Sequence, residues 1–414
     1  MKLALINIDQ LVTVASNGNR VKTGADMRNL GIIENAAVLV EESDIIWVGR
    51  MEELPTSGLN DADVVDCKDT IVLPGFVDSH THLVFAGSRE DEFAMRSAGA
   101  TYQEIAERGG GILSTVRNLR QANKKDLKKY ARRWMNGMMK HGTTMVEIKT
   151  GYGLDMDNEI KMFEVINDLE KEDMMTVVST FLGAHAIPPE YKENKNAYIR
   201  LIIDKMMPYI AQRNLAEFFD VFCERGYFDL TETEELLTFA KQSGFKLKLH
   251  AEELTPLGGA ELAARMNAVS VDHLEHISTS GILALADSQT VATVLPGVSF
   301  FLNHKYAPAR ALIDAGVPVA IATDFNPGSC MSYSMPLMMT IACTHAHMTP
   351  EEAIVASTLN AAAALNRSHE YGSIEVGKKA DMTIFNIPNY KFLAYHFGEN
   401  HVDRVIKHGV LLEV

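Results

Sequence analysis

Strand-like apolar runs alternate with long amphipathic stretches over most of the chain, and this alternation restricts the fold more than any other feature. Eight runs read as strands: Val72 to Val77, Thr144 to Ile148, Val177 to Phe181, Phe218 to Phe222, Lys246 to Leu249, Ser270 to His273, Ala292 to Leu295 and Val319 to Thr323. Between them lie helix-period segments such as Lys124 to Lys140 and Asp155 to Lys171. A βαβα pattern belongs to a parallel sheet covered by helices. Eight such units in roughly 300 residues predict an α/β fold of the (β/α)8 TIM-barrel type. The first 71 residues differ, with short β-branched runs (LALINI, AAVLVE, DIIWVGR, DVVDC, TIVLP) between polar turns. After a predicted helix over Ala353 to Asn366, β texture returns in DMTIFNI and VDRVIKHGVLLEV. Residues 1–71 and 372–414 are therefore expected to meet in one small composite β-sandwich domain, beside a catalytic barrel of residues 72–371.

Composition narrows the partners. The 414 residues are 47% hydrophobic, enough to bury a large core, and their formal charge is −15. That charge repels phosphate backbones and argues against nucleic acid as a partner. Four cysteines without a CxxC pair are too sparse for a disulfide framework and fit a reducing cytoplasm. Polar Asn7, Asp9 and Gln10 interrupt any signal-peptide apolar region. No apolar run nears the ~18 residues of a membrane span.

In a TIM barrel the chemistry sits at the carboxyl ends of the strands. His80 and His82 follow the first strand in VDSHTH, and their spacing puts both side chains on one face of an extended chain. His250 ends the fifth strand, His273 the sixth, and Asp324 the eighth. Each is unremarkable alone. Together they bring imidazole and carboxylate donors to one end of the barrel, a set that suits zinc or a similar divalent metal. Such a metal lowers the pKa of a bound water toward about 7. Glu253, three residues after His250, would share its side if the chain turns helical there, and adjacent Glu252 is the alternative.

VLPGFVDSHTH, the later histidines, the aspartate and the flanking β segments resemble the amidohydrolase superfamily over essentially the whole chain. Within it, HLVFAGSREDEF, ERGGGILSTVR, EIKTGYGL, TFLGAHAIPPEY, HAEEL and TDFNPGS resemble the imidazolonepropionase family, hydrolases that open a ring in histidine breakdown. Two-metal relatives bridge their ions with a carboxylated lysine after the fourth strand. Here that place offers Glu224, and Lys149 lies at the end of the second strand. The resemblance thus implies one zinc or iron ion per subunit, held by His80, His82, His250 and Asp324. It favours Glu253 over Glu252 as the proton shuttle. It gives His273 the task of orienting the attacking water and stabilising the oxyanion.

Arg89 follows the first strand on the mouth side, where a guanidinium can fork onto a carboxylate. Tyr152 and His185 follow the second and third strands and face the same mouth, and Tyr102 is a weaker candidate. The resemblance implies that Arg89, Tyr152, His185 and Glu253 hold 4-imidazolone-5-propanoate, with Asn326, Gly328 and Ser329 contacting substrate or opened product. Gly328 could equally serve turn geometry. Gly109 to Gly111 lack the P-loop lysine and read as a turned loop near the site. The expected reaction is hydrolysis of the cyclic amide C–N bond to N-formimidoyl-L-glutamate. A nucleobase-type deaminase is the alternative, but it offers Arg89 no carboxylate. The resemblance also implies a homodimer.

Overall fold

The computed structural model describes residues 2–101, 104 and 108–413, so Tyr102 lies outside the described residues. The N-terminal segment supplies β1 (Lys2–Val12), β2 (Ile32–Glu41), β3 (Asp44–Arg50), β4 (Ala62–Asp66) and β5 (Ile71–Pro74). The middle supplies β6 (Phe76–Asp78), β7 (Thr143–Lys149), β8 (Thr176–Ala184), β9 (Phe218–Cys223), β10 (Lys246–Ala251), β11 (Ser270–His273), β12 (Val291–Val294) and β13 (Val319–Ile321). The C-terminal segment supplies β14 (Met382–Phe385), β15 (Val402–Lys407) and β16 (Val410–Glu413).

Strands β6 to β13 pair in sequence order, each parallel to the next. The ring closes just beyond the strand ends. The His82 N–H donates to Phe325 O at 3.0 Å, and the Asp324 N–H donates to His80 O at 3.0 Å. Closure of the TIM barrel is therefore made by the residues that carry the predicted ligands. The other eight strands, from both chain ends, form one sheet in the order β16-β15-β14-β5-β1-β2-β3, with β4 also paired to β1. It has a core of its own in which Leu5, Val38 and Val72 pack with Met382 and Ile406.

The predicted helices lie where their caps place them. Asn123 accepts the Asp126 N–H and opens α1 (Lys124–Lys140). Its buried Leu127, Ala131, Met135 and Met138 keep the three-to-four spacing of one helix face. Asp155 likewise caps α2 (Met156–Glu170) through the Asn158 N–H.

Two expectations change. The run Val72 to Val77 is two strands: Ile71–Pro74 pairs antiparallel with β14, and only Phe76–Asp78 enters the barrel. The switch falls at Gly75, whose N–H donates to Asp381 O while the next N–H, of Phe76, donates to Gly142 O, and the position admits only glycine because a Cβ would lie 2.3 Å from Thr144 Oγ1. The helix expected over Ala353 to Asn366 is two, α3 (Pro350–Ala356) and α4 (Leu359–Ala364). Between them the Ser357 and Thr358 hydroxyls donate back to Ala353 O and Ile354 O. The Ser357 carbonyl then accepts from the Val77 N–H at 2.9 Å, which anchors the first barrel strand.

Candidate metal centre and substrate cavity

His80 and His82 follow β6 in extended chain, while Thr81 between them accepts the Lys149 N–H at its carbonyl. Both imidazoles consequently point into the barrel mouth, where His250 of β10 meets them. Ligand nitrogens of the three lie within 4.8 Å of one another, all buried. Asp324 Oδ1 stands 3.4 Å from His80 Nε2 and 3.3 Å from His82 Nε2. The far side of three of the four groups faces a partner, while His82 Nδ1 is buried without one among the described residues and His250 Nδ1 faces its carboxylate without hydrogen-bond alignment. His80 Nδ1 is 2.7 Å from Asp272 Oδ2, and His250 Nδ1 is 2.9 Å from Asp220 Oδ2. Asp324 Oδ2 accepts from Asn326 Nδ2 at 3.0 Å and Ser329 Oγ at 3.2 Å. His80 Nε2, His250 Nε2 and Asp324 Oδ1 are left buried without a hydrogen-bond partner among the described residues. Buried polar atoms without partners are costly, and a cation among them removes the cost. Three imidazoles and one carboxylate fit zinc or iron. Burial and the surrounding positive groups hold His250 well below its ordinary pKa, which leaves it the neutral donor a metal needs.

Beneath this cluster lies a fully buried charge layer. Lys149 Nζ is 2.7 Å from Asp220 and 2.9 Å from Glu147, and Lys248 Nζ is 2.9 Å from Glu147. Burial alone would lower the Lys149 pKa, but Asp220, Glu147 and Asp272 raise it, so its amine stays an ammonium. His80, Glu147 and Asp272 also converge closely enough for a cation. The two ammonium groups already stand beside those carboxylates. Glu224, after the fourth barrel strand, accepts from the Leu254 and Thr255 N–H groups at 2.9 and 3.1 Å and so holds the loop after β10.

That loop is where the proton-transfer expectation needs correction in its geometry. The chain does not turn helical after His250; Glu252 takes a left-handed conformation, φ +60°, and the next helix, α5 (Gly259–Met266), starts later. The turn separates the two glutamates. Glu252 accepts the Gly258 N–H at 3.1 Å, whereas Glu253 lines the cavity. Burial raises the Glu253 carboxyl to about 7, with His273 pulling it down and Glu275 and Asp324 pushing it up. His273 Nε2 lies 3.7 Å from Glu253 Oε2. Burial would lower its pKa, but Glu253 and Glu275 carry it up to about 10.

A cavity of about 480 Å³ opens above the cluster, lined by His82, His250, His273 and Asp324 at its floor and by Arg89, Tyr152, His185, Asn326, Gly328 and Ser329 on its walls. Among the described residues the structure thus brings to one cavity every residue expected at the site except His80, which lies just beneath it, and the alternative Glu252. His185 stacks on His82 at 4.9 Å between ring centroids. Burial, then His82, lowers its pKa to about 3. Its Nδ1 lies 3.1 Å from Gly151 O, so the neutral ring donates there and leaves Nε2 as an acceptor. Arg89 donates from Nε and Nη2 to Glu92 at 2.9 and 2.6 Å. Asn326 and Ser329 line the cavity while also bracing Asp324. In the triple-glycine loop the Gly111 N–H donates to Glu92 at 3.1 Å.

Arg96 was missed by sequence reading. It lies on α6 (Glu90–Ser97), lines the cavity, and donates from Nη1 to Gly328 O at 3.3 Å. Its place seven residues after Arg89, two helical turns on, was a signal available in the sequence. His304, which also lines the cavity, carried none.

A family model described as "Amidohydrolase family" matches residues 71–412. The imidazolonepropionase of Geobacillus kaustophilus (strain HTA426) is 49% identical over 97% of this chain and 95% of its own. The chain belongs to the imidazolonepropionase family of amidohydrolases. Solved structures resemble it in fold. Atrazine chlorohydrolase from Arthrobacter aurescens TC1, complexed with zinc, superposes with TM-score 0.72 at 16% identity, covering 99% of this chain and 95% of its own. The 5-methylcytosine deaminase of Klebsiella pneumoniae gives TM-score 0.74 at 15% identity, covering 100% and 98%. Likeness at that identity carries the barrel and not the deaminase reaction. The site is a divalent-metal centre. Among the described residues no helix is long and apolar enough to cross a membrane.

Proposed function

We propose that this chain hydrolyses the cyclic amide C–N bond of 4-imidazolone-5-propanoate to give N-formimidoyl-L-glutamate, in the breakdown of histidine. The observation that carries this reading is one cavity with a metal-ligand cluster at its floor and the Arg89 guanidinium on its wall. A ring carbonyl and a carboxylate on one small molecule would reach both.

A single zinc or iron ion on His80, His82, His250 and Asp324 would supply Lewis acidity and acidify a water. The ammonium groups of Lys149 and Lys248 support a count of one, since they occupy the neighbouring carboxylates. Glu253, with its carboxyl near 7, accepts the proton of the attacking water and passes it to the leaving ring nitrogen. His273 orients that water and donates to the carbonyl oxygen as negative charge grows there. Neutral His185 accepts a ring N–H at Nε2, and the Tyr152 phenol, kept protonated by burial, donates to the ring. Arg89, with Glu92 holding one edge of its guanidinium, offers Nη1 to the propanoate. Asn326, Gly328 and Ser329 face the substrate or its opened product while bracing Asp324 and Arg89.

Residues up to about Pro74 and from about 372 form the small domain, curled as a sandwich. In its support, β1 passes from β4 to β5 across a bulge between Leu5 and Ile8, as a strand does when it turns a sandwich corner. A cytoplasmic homodimer completes the proposal.

The test is assay of imidazolone propanoate hydrolysis with metal measured on the same sample. Loss of imidazolone absorbance with about one ion per chain is expected. Ammonia release from nucleobases with the imidazolone untouched overturns the reading.

A further inference from the structure

We propose that Glu275 is a positioning residue that accepts the Nδ1–H of His273 and so turns Nε2 of that ring toward Glu253 and the cavity. This rests on the reading of His273 given above. Glu275 is nearly fully enclosed, its side chain 3% exposed, yet neither carboxylate oxygen has a hydrogen-bond partner among the described residues. A buried carboxylate without partners is expensive unless something nearby uses it. Its Oε2 lies 3.7 Å from His273 Nδ1, and His273 Nε2 lies 3.7 Å from Glu253 Oε2. The imidazole therefore stands between two carboxylates. Glu253 lines the cavity and keeps 16% exposure, while Glu275 is absent from the lining.

The backbone is built to hold this arrangement. His273 and Leu274 both have left-handed φ, +83° and +72°, an uncommon pair for residues with side chains. The strained step ends β11 and folds the chain back so that position 275 lies behind the ring. The Leu274 N–H donates to Ala251 O at 3.1 Å and the His276 N–H to Glu252 O at 2.8 Å. The loop bearing Glu275 is thereby stitched to the loop bearing Glu253, and His273 is fixed between them. Which nitrogen of an imidazole faces a reacting atom is decided by the partner its other nitrogen finds. Glu275 does not touch the cavity, so it acts only through His273.

The test compares metal-loaded wild type, Glu275→Gln and Glu275→Ala, with selectively 15N-labelled histidine. The His273 resonance is assigned by its loss in His273→Asn. Wild type is expected to show a hydrogen-bonded Nδ1 proton on His273 that Glu275→Ala loses. That variant should lower kcat by about 10- to 100-fold with KM and bound metal unchanged. Glu275→Gln keeps the shape and an acceptor oxygen, and should retain the Nδ1 proton and recover most of the kcat. Wild-type spectra without a proton at Nδ1, or a Glu275→Gln variant with KM and kcat falling together, would overturn the proposal. The spectroscopic arm needs no substrate, so failure of the proposed function, visible as a wild type inert toward the imidazolone, is distinguished from failure of this one.

Discussion

Beneath the ligands of the cavity floor, Glu147, Lys149, Asp220, Lys248 and Asp272 are all fully buried, and each carboxylate meets an ammonium or an imidazole within hydrogen-bond or ion-pair distance. At the mouth, Arg89 keeps 15% of its side chain exposed, turns one edge to Glu92, and leaves Nη1 for a visitor. The floor has no solvent to soften an error. The mouth does. Groups that must hold a metal and move a proton are therefore over-determined by burial and paired charge, whereas groups that select the substrate are adjustable. Changes at the floor should reach turnover and stability, and changes at the mouth should reach KM alone.

The largest effect expected is that of Glu253→Gln. Loss of a positioned general base costs about 10²- to 10⁴-fold in kcat, and since Glu253 is no ligand the metal content should stay at the wild-type level. Near wild-type kcat would remove Glu253 from the reaction. Lys149→Met tests the floor without touching the cavity. It takes the ammonium from buried Asp220 and leaves Glu147 with Lys248 alone, and breaking such a buried pair costs about 3–5 kcal/mol, read as a lowered midpoint in denaturant. The double variant Lys149→Met with Asp220→Asn should recover part of that loss, because the two residues share one interaction. Independent, additive losses would mean that the layer is not the coupled unit described.

The ligands were legible because β-strand ends are legible: HxH after one apolar run, His250 and Asp324 after others, all at one end of a repeating pattern. What escaped depends on backbone turns and distant pairs. Val72 to Val77 does carry a breaker in Pro74-Gly75, but the apolar residues on both sides read as one run, and no periodicity marks a strand that changes sheets. Choosing between Glu252 and Glu253 on geometry requires the left-handed turn at Glu252, which a helical extrapolation cannot supply. Lys149 could be placed at a strand end, but its partner Asp220 lies 71 residues away and the Lys248 partner Glu147 lies 101 away, each on another strand, so neither ion pair could be read.

At the mouth, Arg89→Ala should weaken binding of the propanoate by about 1.5–3 kcal/mol, roughly 10- to 100-fold in KM, with kcat little changed. An imidazolone lacking the propanoate should not register the change. Equal losses on both compounds would end the carboxylate-anchor role and blur the division between floor and mouth.

The smallest effect isolates that division. Gly328 has no left-handed φ, so backbone conformation does not demand glycine there. What demands it is Arg89: a Cβ at 328 would lie 2.0 Å from Nη1 and 2.8 Å from Cζ. The obstructing atoms are the end of a flexible side chain, so Gly328→Ala should leave the denaturation midpoint unchanged and push the guanidinium aside. Moving it off its favoured rotamer and away from Glu92 costs about 0.5–1.5 kcal/mol, or roughly two- to tenfold in KM, while Asn326 and Ser329 keep Asp324 braced and kcat steady. A fall in kcat or in bound metal would show that the loop from 324 to 329 transmits strain from mouth to floor. In that case the two regions would be one mechanical unit.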